Sequence, residues 1–175
     1  MVVVDNNVLS SLAKIDRLDL LRRIFDDVAT VPSVFDELHR DEVAGYEFVD
    51  RIDDIKGYRD GWLRVRSVSE ADLELADEIV DSSLSFTDAE CIAIAQRRDE
   101  RLLTDDSHAG EMASQRGVEV WDLKLCLEAA IVTECICSRS ELDSVIEALR
   151  EKDGYRFSTT DRQDLHDRLE STTRD

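Results

Sequence analysis

Proline is almost missing from this chain of 175 residues: Pro32 stands alone, and there are only six glycines. Collagen-like repeats, low-complexity linkers and turn-dense all-β folds need more of both, so they are excluded. Long apolar runs are missing too. The start, Met1 to Leu9, has no basic flank and a run of only three valines, against the roughly 18 apolar residues that a membrane span needs. No span or export segment is expected, and the cytoplasm is the expected location. The four cysteines, Cys91, Cys126, Cys135 and Cys137, form no C-x-x-C pair. The histidines, His39, His108 and His166, are scattered, so no zinc spacing arises. Cys91 and Cys126 lie among helical apolar residues and read as buried thiols of a reduced compartment.

Lysine is scarce as well. Lys14, Lys56, Lys124 and Lys152 leave 18 arginines among 22 bases, against 41 acids and a formal net charge of −19. A conventional nucleic-acid binder carries a basic patch, and this balance speaks against one. The same excess of acid, with aspartate supplying 25 of the 41, resembles the halophilic proteins of salt-accumulating organisms. In molar salt, repulsion between surface acids is screened to within about 3 Å, and net charge then says little about the substrate. Both readings stay open at this point.

What is present is a regular alternation. Apolar residues make up 42% of the chain and fall in blocks, as a folded protein requires. Short apolar runs predict strands at 2–4, 28–31, 62–68, 101–104 and 118–121. Helical spacing predicts two short helices over 9–24 broken near Asp16, then helices from Pro32 to Glu42 and over 43–58, 69–81, 88–98, 107–116, 123–134, 138–151 and 160–171. Strands alternating with helices predict an α/β/α sandwich with a central, mainly parallel sheet of about four or five strands and helices on both faces. Residues 1–135 are expected to form the main domain, with 136–175 as a helical extension packed on it. The stripes Leu142, Val145, Ile146 and Leu149, and Leu165 and Leu169, serve either that packing or a second chain.

Parallel sheets place ligands at the carboxyl ends of their strands. Two predicted strands end there in aspartate, at Asp5 and at Asp105-Asp106. The helix carrying Asp88 opens towards the same edge, and Glu37 follows Pro32. Carboxylates without histidine or cysteine suit hard cations such as Mg²⁺ or Mn²⁺. Such an ion activates water and shields a phosphodiester. Each acid also has a purely structural reading. Asp5 can end a strand, and Glu37 can join a solvated face with Asp36, Asp41 and Glu42. T-D-A-E reads as a capping box with Thr87 as N-cap and Glu90 reaching back, and Asp105-Asp106 can cap the next helix. Convergence decides between them. Carboxylates a few ångströms apart repel by on the order of a few kcal/mol, a cost worth keeping only for a cation. Arg64, Arg66, Arg97, Arg98 and Arg101 either guide phosphates or pair with the abundant acids.

The segments V-V-D-N-N-V-L, V-P-x-x-x-x-E-L, F-T-D-A-E-C-I-A-I-A and L-L-T-D-D, in this order over residues 2–125, resemble a PIN domain. The likeness is to VapC-type toxins and related uncharacterised prokaryotic PIN proteins, and R-F-S-T before the last helix is similar to their tails. The resemblance implies a compact α/β/α fold and Mg²⁺- or Mn²⁺-dependent hydrolysis of RNA. By motif position it implies Asp5, Glu37, Asp88 and Asp106 as catalytic acids, the aspartates among them as metal ligands, and Asn6, Glu90 and Asp105 as auxiliary groups. It also implies a small antitoxin partner and a homodimer. Residues 43–84 match no motif of the family. Two rivals remain. One is a catalytically silent PIN-like interaction protein. The other is a phosphotransfer protein using Asp5, against which Asp5-Asn6-Asn7 lacks a D-x-D pair and Lys124 falls past the last strand.

Overall fold

Five short apolar segments pair into one sheet: β1 (Val2–Val4), β2 (Val28–Thr30), β3 (Leu63–Val65), β4 (Arg101–Leu103) and β5 (Val120–Trp121). The computed structural model describes residues 1–40, 42–43, 45–57 and 61–173. The strand order is β3-β2-β1-β4-β5, and every pairing is parallel. Parallel neighbours need crossover connections, and helices supply them. The chain steps from β1 outward to β2 and β3, then returns to start β4 on the other side of β1. Its direction of winding therefore reverses between β1 and β4. Crevices for ligands form at such a switch, outside the carboxyl ends of the strands.

The connections are α1 (Asn6–Lys14) and α2 (Asp19–Ile24) after β1, and α3 (Pro32–Leu38) and α4 (Glu47–Ile55) after β2. After β3 come α5 (Glu70–Ile79) and α6 (Phe86–Arg98), and α7 (Ser107–Gln115) joins β4 to β5. The chain ends in α8 (Leu123–Val132), α9 (Arg139–Ala148), a π-helical turn (Leu149–Asp153) and α10 (Thr159–Thr172). Val2, Val3 and Val4 are all fully buried. Successive side chains of a strand point to opposite faces, so the sheet is covered on both, and the fold is an α/β/α sandwich.

Several boundaries differ from the sequence expectation. The helix from Pro32 stops at Leu38 rather than running to Glu42; Asp41, in its expected acidic run, lies outside the described residues. The helix expected over 43–58 covers only Glu47–Ile55, and of that range Ala44 and Tyr58 lie outside the described residues. Strand 62–68 shrinks to β3 because an edge strand has one neighbour to pair with, although the Arg66 amide still donates to the Thr30 carbonyl. The break near Asp16 is real: its φ of 60° turns the chain between α1 and α2. Leu142, Val145, Ile146, Leu149, Leu165 and Leu169 are buried in the same apolar core as β1, so the late stripes pack within this chain. Cys91, Cys126 and Cys135 are buried free thiols, and Cys137 is exposed. Among the described residues no helix is long and apolar enough to cross a membrane.

One buried acid outside the sheet edge ties two helices together. Asp72 is 2% exposed and closes a capping box with Ser69 at the start of α5. Its carboxylate also accepts from Arg97 Nε at 2.7 Å and faces Arg98 at 3.5 Å, both at the end of α6. Burial pushes this carboxyl up, but the Ser69 hydroxyl and amide, then Arg97 and Arg98, outweigh it and hold it below the ordinary value. A depressed carboxyl adds stability above its unfolded pKa and loses it as pH falls through the folded one. Asp72→Asn is expected to cost about 2 kcal/mol near pH 7, less than a sealed ion pair would because both arginines reach solvent. Denaturant melts of parent and variant should differ by that amount at pH 7, and the gap should close below about pH 4. A gap independent of pH would refute the assignment.

Candidate active site

Asp5 is placed by β1. Its amide donates to the Leu103 carbonyl at 3.1 Å, prolonging the β1–β4 pairing by one bond. Its side chain then caps α1, with Oδ1 accepting from the Val8 amide at 2.8 Å. The residue is 1% exposed, and Oδ2 is buried without a hydrogen-bond partner; the Thr104 hydroxyl lies near without closing a bond. Burial drives the carboxyl up to about 7, against the pull of Thr104 and the Val8 amide, and the charges of Asp88 and Asp105 add to the rise.

Glu37 reaches the same edge from α3, where its carboxylate is held at both ends. Oε2 accepts from Asn6 Nδ2 at 2.9 Å, and Oε1 accepts from Thr87 Oγ1 at 2.6 Å. Asn6 is itself fixed by Ser10, whose hydroxyl donates to Asn6 Oδ1 at 2.9 Å. Three segments remote in sequence thus meet at one carboxylate. Asp88 sits in the first turn of α6, where Ser85 Oγ donates to its Oδ2 at 2.6 Å. Burial raises its carboxyl; Ser85 opposes that, and the charges of Asp106 and Glu37 reinforce it. Asp106 caps α7, accepting from the Ala109 amide at 2.8 Å, while its own amide donates to Thr104 Oγ1 at 3.1 Å.

Asp5, Glu37, Asp88 and Asp106 therefore stand at one edge of the sheet, where Asp88 feels the charges of Asp106 and Glu37, and Asp5 feels that of Asp88. The charges acting most strongly on Asp5 and Asp88 are all negative. Beneath them Cys91 is buried, and burial together with the charges of Asp5, Asp88, Glu90 and Glu37 pushes its thiol far up. It stays protonated and inert.

Two auxiliary residues turn elsewhere. Glu90 is 4% exposed and accepts from the Ser33 hydroxyl and, at 3.4 Å, from the Ser33 amide at the start of α3. It latches α6 to α3. The expected capping box does not form: α6 begins at Phe86 with Ser85 as N-cap, its hydroxyl accepting from the Asp88 amide at 3.1 Å. S-F-T-D and T-D-A-E both satisfy the capping spacing, and the earlier start frees the Thr87 hydroxyl for Glu37. Asp105 points to the C-terminal part, with Oδ1 accepting from the Leu123 amide at 3.1 Å and from the Tyr155 hydroxyl at 3.3 Å. Burial raises its carboxyl to about 6, with the Leu123 amide opposing and Asp122 adding. Sequence reasoning missed Thr87 and Ser33 as donors. Their signal was only a hydroxyl near a motif acid, one residue from Asp88 for Thr87 and four from Glu37 for Ser33.

The arginines resolve towards pairing. Arg64 faces Asp27, Arg66 faces Glu100, Arg97 and Arg98 share Asp72, and Arg101 faces Glu119. His108 stands on the edge, 3.0 Å from Asp81. Asp81 first of all holds that imidazole above its ordinary value.

A doubly wound parallel sheet with acids gathered at its switch point defines an α/β class that binds ligands at the carboxyl edge. Within that class, the chain belongs to the PIN domain family: the family model DUF3368, described as a PIN domain, matches residues 1–171. PIN domains are typically nucleases and generally use divalent metals. Among solved structures the chain is similar to a PilT N-terminus domain protein from the hyperthermophilic archaeon Sulfolobus solfataricus P2. That likeness has 13% identity and a TM-score of 0.49, and covers 74% of this chain and 92% of the other. No curated protein matches the chain.

The donor set fits a hard divalent cation in kind. It is all oxygen, and Asp5 Oδ2 is a buried acceptor with nothing to accept from. In spacing, no three Asp, Glu, His or Cys side chains among the described residues stand close enough to hold an ion together. Coordination by Asp5, Asp88 and Asp106 therefore requires bound water or a closer approach. In metal-free protein the buried charge of Asp5 is a pure cost. Asp5→Asn keeps a good N-cap and is expected to raise the melting temperature in EDTA at pH 8. The ceiling is about 4 kcal/mol, the equivalent of lifting a carboxyl from 3.8 to about 7. A raised carboxyl penalises the fold only above its unfolded pKa, so the gain should shrink as pH falls towards 4. A loss of stability at pH 8 would contradict this electrostatic account.

Proposed function

We propose that the protein is a metal-dependent ribonuclease, the toxin of a toxin–antitoxin pair, using Asp5, Glu37, Asp88 and Asp106 on an RNA phosphodiester. The observation that carries the reading is the meeting of four acids from four separate segments at the switch point, with negative charges as their strongest neighbours. The order of motifs over residues 2–125 supports the toxin assignment, a cytoplasmic location, a small antitoxin partner and a homodimer.

Asp5, Asp88 and Asp106 would hold Mg²⁺ or Mn²⁺, which when bound supplies a more acidic water and neutralises phosphate charge. Glu37 is held by Asn6 and Thr87, so its part is to keep the α3 side of the pocket in register with α1 and α6. Asp88 is steadied by Ser85, whose hydroxyl donates to Oδ2, so its part is to present a fixed carboxylate to the ion. Arg64, Arg66, Arg97, Arg98 and Arg101 are committed to acids, so RNA affinity would rest on the ion and on shape more than on those five.

The spacing of the acids favours a second reading, a catalytically silent PIN-like interaction protein. One assay separates the two. Purified protein should cleave RNA with Mn²⁺ or Mg²⁺ at high salt, stop in EDTA, and lose about 100-fold or more of its rate in Asp5→Asn and Asp88→Asn. A folded parent that leaves RNA intact with either metal supports the silent module, and cleavage indifferent to EDTA removes the metal from the scheme.

A further inference from the structure

The segment after α9 reaches the back of the proposed site at two points. Over Leu149–Asp153 the backbone widens into the π-helical turn, closed by Gly154 at a φ of 81° that a side chain would strain. Single π-turns inside helices are rare and gather at functional sites. Asp153, the last residue of this one, accepts from Ser11 Oγ and from Lys14 Nζ, both at 2.7 Å. Both donors lie on α1, the helix that Asp5 caps. Two residues on, the Tyr155 hydroxyl donates to Asp105 Oδ1, while its ring packs edge-on against Phe157 at 4.8 Å.

Asp105 stands between Thr104 and Asp106, so whatever seats it also seats the turn that presents Asp106. That seat is contested. Asp105 is mostly buried, its Oδ2 has no partner, and the acids facing it are Asp122 and Asp153. Among the described residues two donors hold it: the Leu123 amide at the start of α8 and the Tyr155 hydroxyl. With one of them gone, repulsion from two acids acts on a carboxylate kept by a single hydrogen bond.

We propose that Tyr155 is a positioning residue: its hydroxyl, by seating Asp105, fixes the 104–106 turn and thereby the place at which Asp106 offers its carboxylate to a metal ion. The last clause rests on the metal reading of the site, and the first does not. The C-terminal segment then belongs to the site's architecture, bracing the helix behind Asp5 and the turn before Asp106 together.

The test is Tyr155→Phe in the full chain, which keeps the ring against Phe157 and removes one oxygen. Two readouts are needed. In EDTA, amide hydrogen exchange over 104–109 should rise several-fold while α5 exchanges as in the parent. By calorimetry, Mn²⁺ affinity should fall about tenfold, as when a partner that orients a metal ligand is lost. Unchanged exchange over 104–109, or a rise spread over the whole chain, overturns the proposal. Faster local exchange with unaltered Mn²⁺ affinity overturns the link to Asp106. Faster local exchange in a protein whose parent binds no Mn²⁺ upholds the seating role and removes the metal reading instead.

Discussion

A buried carboxylate whose strongest charged neighbours are other acids is the constraint on which this edge of the molecule depends. Asp5 cannot leave its place: its amide extends the β1–β4 pairing, and its side chain starts α1. It cannot be comfortable there either, because water is excluded and the nearest charges are Asp88 and Asp105. A fold keeps such a cost only where the surroundings over-determine it and function draws on it. The rest of the edge can be understood as a response. Val8, Asn6, Thr87 and Ser85 are neutral donors, and each takes up a lone pair of an acid without cancelling its charge.

The same division runs through the whole chain. The arginines that sequence pattern offered as phosphate guides are committed to acids elsewhere, and Asp72 alone occupies two of them. Arg97 and Arg98 tie α6 to α5 through Asp72, while the motif acids stand where the winding of the sheet reverses. Under the proposed function, a protein with a net charge of −19 acts on a polyanion and borrows positive charge through the acids at the edge.

Much of the site was legible in the primary structure because its acids follow strand ends or open helices, and those positions are marked by abrupt changes from apolar to polar residues. V-V-V-D and L-L-T-D-D mark two of them directly. The helix boundary at α6 was not legible. Ser85 and Thr87 both have an acid three residues on, and local spacing cannot rank two equivalent caps. Packing ranks them: starting at Phe86 turns Thr87 inward to Glu37 and leaves Glu90 to hold Ser33. The roles of Glu90 and Asp105 were hidden for the same reason, since each is defined by a partner far away in the chain.

Sequence alone determined the alternation of strands and helices, the parallel sheet and the identity of the acids, because these follow from hydrophobic periodicity and from local changes of polarity. It also carried the family likeness. Only the tertiary structure decided which carboxylates face one another, which arginines pair with which acids, and that a tyrosine near the end of the chain reaches an aspartate beside the fourth motif. Those are contacts between segments dozens of residues apart. Their distances are set by how the layers pack, a quantity that no local pattern of residues contains.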